Sequence, residues 1–102
     1  MKERWKTVVG CPEYKVSNLG RVRSPKKILK PQVNCKCGYR FVQLPGQVNR
    51  YVGQMVLEAF KGPRPEGLEV DHRDRNRQND KYSNLRWVTH SENNLNTKRN
   101  YK

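Results

Sequence analysis

Apolar residues first recur at helical spacing only from residue 52, where Val52, Val56, Ala59 and Phe60 fall at i, i+4, i+7 and i+8. The fifty residues before that stripe therefore read as short strands and turns. Residues 5–9 form a strand closed by Gly10-Cys11-Pro12. Tyr14-Lys15-Val16 and Arg21-Val22-Arg23 alternate polar with apolar on either side of the turn cluster Ser17-Asn18-Leu19-Gly20. That alternation puts Val22 inside and both arginines outside. Residues 39–44 and 50–52 make a hairpin across Pro45-Gly46, and Gly62-Pro63 ends the helix. Leu68-Glu69-Val70 then leads as a strand into Asp71-His72. Residues 73–83 are a polar loop, and Asn84-Leu85-Arg86-Trp87-Val88 is a second strand. Thr89 and Glu92 have the spacing of a capping box, so a helix is expected from His90 towards Lys98. Trp87 lies on a strand facing a helix and is expected in the core. The fold class is α+β, with N-terminal antiparallel hairpins, a linking helix and a strand–loop–strand–helix unit. The expected division is 1–50 and 51–102, either as two lobes or as one compact domain.

Charge narrows the function. The 102 residues carry 22 Lys and Arg against 9 Asp and Glu, a net +13, and only 33% are apolar. Such a chain is too short for a large α/β enzyme or a barrel. It calls for a polyanionic partner, nucleic acid first. The first fifty residues hold 12 basic and 2 acidic side chains, and the remainder 10 and 7. The front half is thus the electrostatic footprint, and most carboxylates lie behind it. No apolar run approaches 18 residues, which excludes a transmembrane helix. The charged start, Met1-Lys2-Glu3-Arg4-Trp5-Lys6, has no apolar segment behind it, so no signal peptide and a cytoplasmic location are expected. Cys11, Cys35 and Cys37 are odd in number, and the last two are spaced C-x-C. With two histidines in the chain they do not supply a four-ligand zinc site and read as half-buried thiols near the Gly38 turn.

The residues with chemistry are Asp71, His72, Asn84 and Asn93. A strand–loop–strand–helix unit can bring them to one cleft. The carboxylate and an amide oxygen are hard donors suited to Mg²⁺ or a similar ion. A neutral imidazole can take a proton from water near neutral pH, and Asn84 can orient it through a side-chain hydrogen bond. Adjacent strand residues point to opposite faces, so Asp71 and His72 need a backbone twist to act together. From residue types alone, a loop carboxylate beside a surface imidazole accounts for the pair equally well.

Val70-Asp71-His72, Asn79-Asp80, Ser83-Asn84-Leu85-Arg86-Trp87-Val88-Thr89 and Glu92-Asn93-Asn94 together resemble the HNH endonucleases of ββα-metal fold, in the order found in phage and intron homing enzymes. Trp5-Lys6, followed by the run from Tyr14 to Ser24, resembles the NUMOD-like β-rich DNA-binding module that often precedes that motif. Val52 to Phe60 resembles the linking helix. The resemblance implies a metal-dependent DNA endonuclease. Asp71 and Asn93 would hold one divalent ion, Mg²⁺ first and Mn²⁺ second. Many members have His where Asn93 stands. His72 would be the general base and Asn84 the residue that orients it, while Asp74 and Asp80 match loop positions. The implied reaction nicks one strand of duplex DNA, leaving a 5′ phosphate and a 3′ hydroxyl. Arg21, Arg23, Lys26, Lys27, Lys30, Arg40, Arg50, Arg86, Lys98 and Arg99 are the expected DNA contacts, most of them to phosphates. The chain ends at Lys102, where longer homing enzymes continue into a further DNA-binding segment, so low or moderate specificity is expected. A monomer is expected, with a dimer or a guiding protein partner left open, in a phage-infected or bacterial cytosol. A basic module that binds nucleic acid without cutting explains the charge equally well, but not the four residues together.

Overall fold

The computed structural model describes residues 2–92. Its α+β architecture has two small antiparallel sheets, one helix and a C-terminal hairpin. β1 (Trp5–Val8), β2 (Cys11–Ser17) and β3 (Val22–Arg23) form the first sheet in that order. Val8 pairs with Cys11, so the chain reverses through Val9 and Gly10 alone. Gly10 permits this with φ +85°, a region most side chains avoid. Cys11 and Pro12, expected in the turn, therefore lie in β2. Val16 pairs with Val22 and both are fully buried, while Arg21 and Arg23 face outward as the alternation requires.

The second sheet comprises β4 (Gln32–Val33), β5 (Arg40–Leu44) and β6 (Val48–Tyr51). β4, only two residues long, leaves no alternation to read in the sequence. α1 (Val52–Phe60) follows β6 directly. Its buried residues Val52, Met55, Val56 and Leu57 pack with Val8, Val16 and Val22 of the first sheet, Val42 and Leu44 of the second, and Leu85 beyond. One core thus joins both sheets to the C-terminal hairpin. A chain with so few apolar residues concentrates them around a single helix. Trp87 packs against this core, as its strand position predicts.

β7 (Leu68–His72) and β8 (Leu85–Thr89) pair in regular antiparallel register, Asp71 opposite Arg86 and His72 opposite Leu85. The intervening loop ends in a 3₁₀ turn, η1 (Tyr82–Asn84). The capping box forms: Glu92 Oε1 accepts from the Thr89 N–H at 2.9 Å, and the Glu92 N–H donates to Thr89 Oγ1 at 3.2 Å. Residues 90–92 are helical. The rest of that expected helix, with Asn93, Lys98 and Arg99, lies outside the described residues.

The turn between β2 and β3 docks on the β7–β8 loop. Asn18 is buried; its Oδ1 accepts from the Arg4 N–H at 2.7 Å and its backbone carbonyl from the Tyr82 N–H at 2.8 Å. At Gly20, with φ +84°, a Cβ would come within 2.9 Å of the Asp80 backbone. Only glycine allows that approach. The front of the chain thereby fixes the loop that follows His72.

Candidate functional site

His72 ends β7 with only 5% of its side chain exposed. Its Nε2 lies 2.7 Å from Asp80 Oδ1, and Asp80 is itself buried. The second Asp80 oxygen accepts from Arg40 Nε at 2.8 Å, while Arg40 Nη2 donates to the Gly20 carbonyl at 2.7 Å. The ring of Tyr39 stacks on His72 with centroids 5.6 Å apart. Burial raises the Tyr39 phenol above its ordinary range, so it stays protonated. Behind the pair, α1 contributes Gly53, where a Cβ would meet Asp80 Oδ1 at 2.8 Å and His72 Nε2 at 3.5 Å. These groups line a cleft of about 200 Å³ whose other walls include Tyr51, Gln54, Arg64 and Glu69. A buried imidazole in ion-paired surroundings differs from the surface imidazole that residue types alone allowed.

The sequence reading gave Asn84 the task of orienting His72. The structure assigns that hydrogen bond to Asp80, and Asn84 is engaged elsewhere. Its Nδ2 donates to Asp74 Oδ1 and to the Asn79 carbonyl, both at 2.9 Å, and its Oδ1 accepts from the Asp74 N–H at 3.1 Å. The reason is positional: Asn84 closes η1 immediately before β8, where its amide faces the loop backbone. Its carbonyl accepts from the Arg73 N–H at 2.7 Å, pinning the residue after His72. Asn84 thus shapes the loop that carries Asp80 and touches the imidazole only through it. Asp80 stood in the sequence as a loop residue, because eight positions from His72 no local spacing announces the contact.

Asp71 is buried at 3% exposure and accepts from Arg86 Nε at 2.8 Å. The register shows no twist bringing Asp71 and His72 to one face. Regular pairing sends Asp71 to the side of Arg86 and His72 to the side of Leu85. Among the described residues no three His, Cys, Asp or Glu side chains cluster for a metal. Cys11, Cys35 and Cys37 are free thiols, with Cys37 Sγ 3.6 Å from the Tyr51 hydroxyl.

The expected DNA contacts divide by burial. Arg40 and Arg50 are committed inside the fold: Arg40 as described, and Arg50 to Glu58 at 2.7 Å and the Val9 carbonyl at 2.8 Å. Arg40 on β5 and Arg50 on β6 keep only 22% and 24% of their side chains exposed, so these two expected phosphate contacts are engaged within the fold. Arg86 is paired with Asp71 but keeps 41% of its side chain exposed. Arg21 pairs with Glu3, and Arg21 and Arg23 each lie 5.6 Å from the Trp5 ring centroid. Lys26, Lys27 and Lys30 are exposed. Three further exposed cations, Arg73, Arg75 and Arg77, follow His72 directly, alternating with Asp74 and Asn76. Arg75 adopts φ +64°, and Arg77 lies 5.3 Å from the Tyr39 ring centroid and donates to the Cys37 carbonyl. The signal was in the sequence as an Arg-x-Arg-x-Arg run beside the Asp71-His72 pair, hidden by its loop composition.

The two halves match separate family models. Residues 50–95 match an HNH endonuclease model and residues 3–45 a NUMOD4 motif model. DNA endonuclease I-HmuI of Bacillus phage SP01 is 41% identical over 95 residues, an alignment covering 83% of this chain and 52% of that protein. A structure of DNA binding and cleavage by the HNH homing endonuclease I-HmuI superposes with a TM-score of 0.80 at 39% identity, over 95% of this chain and 59% of that one. Residues 50–95 are an HNH endonuclease segment, and residues 3–45 a NUMOD4 segment. The chain spans about half the length of the curated relative it matches. The HNH segment contains Asp71, His72, Asp80 and Asn84, and the NUMOD4 segment contains Gly20 and Arg40. The Arg40–Asp80 ion pair therefore bridges the two family segments. No helix among the described residues is long and apolar enough to cross a membrane.

Proposed function

We propose that this chain is an HNH endonuclease that hydrolyses phosphodiester bonds in duplex DNA, nicking one strand with His72 as general base. The observation that carries the reading is a histidine buried at a strand end, anchored by an ion-paired carboxylate, directly after a buried aspartate. His72 takes a proton from a water, and the resulting hydroxide attacks phosphorus. The bond to the 3′ oxygen breaks, and that oxygen takes a proton from solvent. The products are a 5′ phosphate and a 3′ hydroxyl. In-line displacement puts nucleophile and leaving group on opposite sides of phosphorus.

The donor set fits a hard divalent ion. Asp71 offers a buried carboxylate, and an amide oxygen from Asn93 would be the second donor. Mg²⁺ commonly takes one or two carboxylates and completes its shell with water and phosphate. When bound, Mg²⁺ or Mn²⁺ supplies Lewis-acid stabilisation of charge on the leaving oxygen. Arg86, partly exposed beside Asp71, is placed to turn towards a phosphate. Arg21, Arg23, Lys26, Lys27 and Lys30 would bind backbone phosphates in front, with Arg73, Arg75 and Arg77 beside the cleft, and Lys98 and Arg99 as further contacts. Residues 1–50 serve as the DNA-binding part and 51–102 as the cutting part. One site per monomer favours a nick, and a phage-infected cytosol is the proposed setting. A supercoiled plasmid incubated with Mg²⁺, Mn²⁺ or excess EDTA tests this. Open circles with metal and none with EDTA support it. Linear product from the outset would contradict nicking, and binding without cleavage would contradict the enzyme.

A further inference from the structure

We infer that Asp80 and Arg40 form a positioning relay that sets the tautomer of His72, making the N-terminal module part of the catalytic apparatus. The inference rests on His72 being the base and extends it to residues beyond the active-site four. Asp80 has one oxygen 2.7 Å from His72 Nε2 and the other 2.8 Å from Arg40 Nε. An Arg-paired carboxylate can only accept, so a neutral His72 must carry its hydrogen on Nε2 and its lone pair on Nδ1. No other hydrogen bond of the ring is present among the described residues. Nδ1 is thus the atom that receives the proton from water.

The relay is held from three sides. The Arg40 guanidinium is fixed by the Gly20 carbonyl, the Asp80 backbone rests against Gly20, and the Asp80 carboxylate rests against Gly53. Tyr39, stacked on the imidazole, sets the plane of the ring. Three of these constraints, Gly20, Tyr39 and Arg40, come from the first fifty residues. A carboxylate that holds a histidine in one tautomer without touching substrate is known to matter greatly: its Asp→Asn exchange costs about 10⁴-fold in a serine protease.

Asp80→Asn gives a directional test because Arg40 remains. The carbonyl oxygen of the substituted amide is drawn to Arg40 Nε, which turns the amide NH₂ towards His72. His72 Nε2 must then accept, and the ring hydrogen moves to Nδ1, removing the lone pair from the reacting atom. The expected result is a cleavage rate lower by about 10²–10⁴-fold, by analogy with that exchange, with DNA affinity within about threefold. The readout specific to the inference needs neither metal nor DNA. Ring ¹⁵N shifts of His72 in the metal-free wild type, at a pH where the ring is neutral, should report the Nε2–H form. In Asp80→Asn they should report the Nδ1–H form. A wild-type ring in the Nδ1–H form, or an Asp80→Asn protein that cuts at the wild-type rate, would overturn the relay. His72→Ala separates the two ideas. If it cuts normally, the general-base reading fails. If it is inactive while Asp80→Asn is unimpaired, the relay alone fails.

Discussion

Gly53→Ala should invert the usual sign of a helical Gly→Ala exchange. In an unobstructed helix the added methyl stabilises by about 0.5–1 kcal/mol, through lower entropy of the unfolded chain. Here the new Cβ would stand 2.8 Å from Asp80 Oδ1, so the carboxylate must retreat by about 0.6 Å to reach an ordinary contact at 3.4 Å. It has nowhere to go: its other oxygen is held by Arg40 at 2.8 Å, and its backbone lies against Gly20. Overpacking a rigid site costs about 1–3 kcal/mol, so the net change is a loss of about 1 kcal/mol. For a domain of this size that is a fall in Tm of about 4–8 °C. The displacement also lengthens or bends the bond to His72, so the cleavage rate should fall by about tenfold or more, since small misplacements of catalytic groups are costly. Thermal unfolding followed by circular dichroism, paired with single-turnover cleavage, measures both. A raised Tm with an unchanged rate would refute the claim that α1 braces the Asp80–His72 pair.

The other expectations concern the loop and the helix start. Arg75→Gly relieves a non-glycine residue at φ +64° and should stabilise the fold by about 0.5–1 kcal/mol. It should also weaken DNA binding and reduce the salt dependence by about one counterion, read from binding isotherms across ionic strengths. Asn84→Ala removes three hydrogen bonds from the loop; it should lower the urea midpoint and reduce cleavage through the displaced Asp80, with DNA affinity less affected. Thr89→Ala breaks the capping box and should cost about 1 kcal/mol in chemical denaturation. The Asn79 side-chain amide, followed by the Asn76 N–H, holds the Asp74 carboxyl below its ordinary range. A carboxyl lowered in the folded state stabilises fully above the ordinary carboxylate range and loses that contribution as pH falls through its folded value. Asp74→Asn should therefore be less stable than wild type at neutral pH, and the two should converge in acid.

Local elements were legible because their signals are local. The stripe from Val52 to Phe60, the alternation around Val22 and the Thr89–Glu92 box each determine a neighbourhood of a few residues, and the structure contains all three. β4 gives no signal because two residues carry no period, and Pro12 suggests a break in the β1–β2 region where an exposed strand position tolerates it. The site was legible in its residue types and opaque in its connections. Asp71 and His72 stand out by adjacency. Asp80, Arg40, Gly20 and Gly53 lie 8, 32, 52 and 19 positions from His72 and meet it only through tertiary packing. Charge was also a partial guide. It identified a basic chain correctly but could not tell Arg40 and Arg50, consumed by internal ion pairs, from Arg73, Arg75 and Arg77, which face solvent.

The most direct test of the central claim compares the single-turnover cleavage rate of His72→Ala with its DNA affinity, at one salt concentration and with Mg²⁺ present. General-base catalysis by His72 predicts a rate lower by about 10²–10⁴-fold at unchanged affinity. A rate within a few fold of wild type would contradict it, and so would a loss of rate that merely tracks a loss of binding.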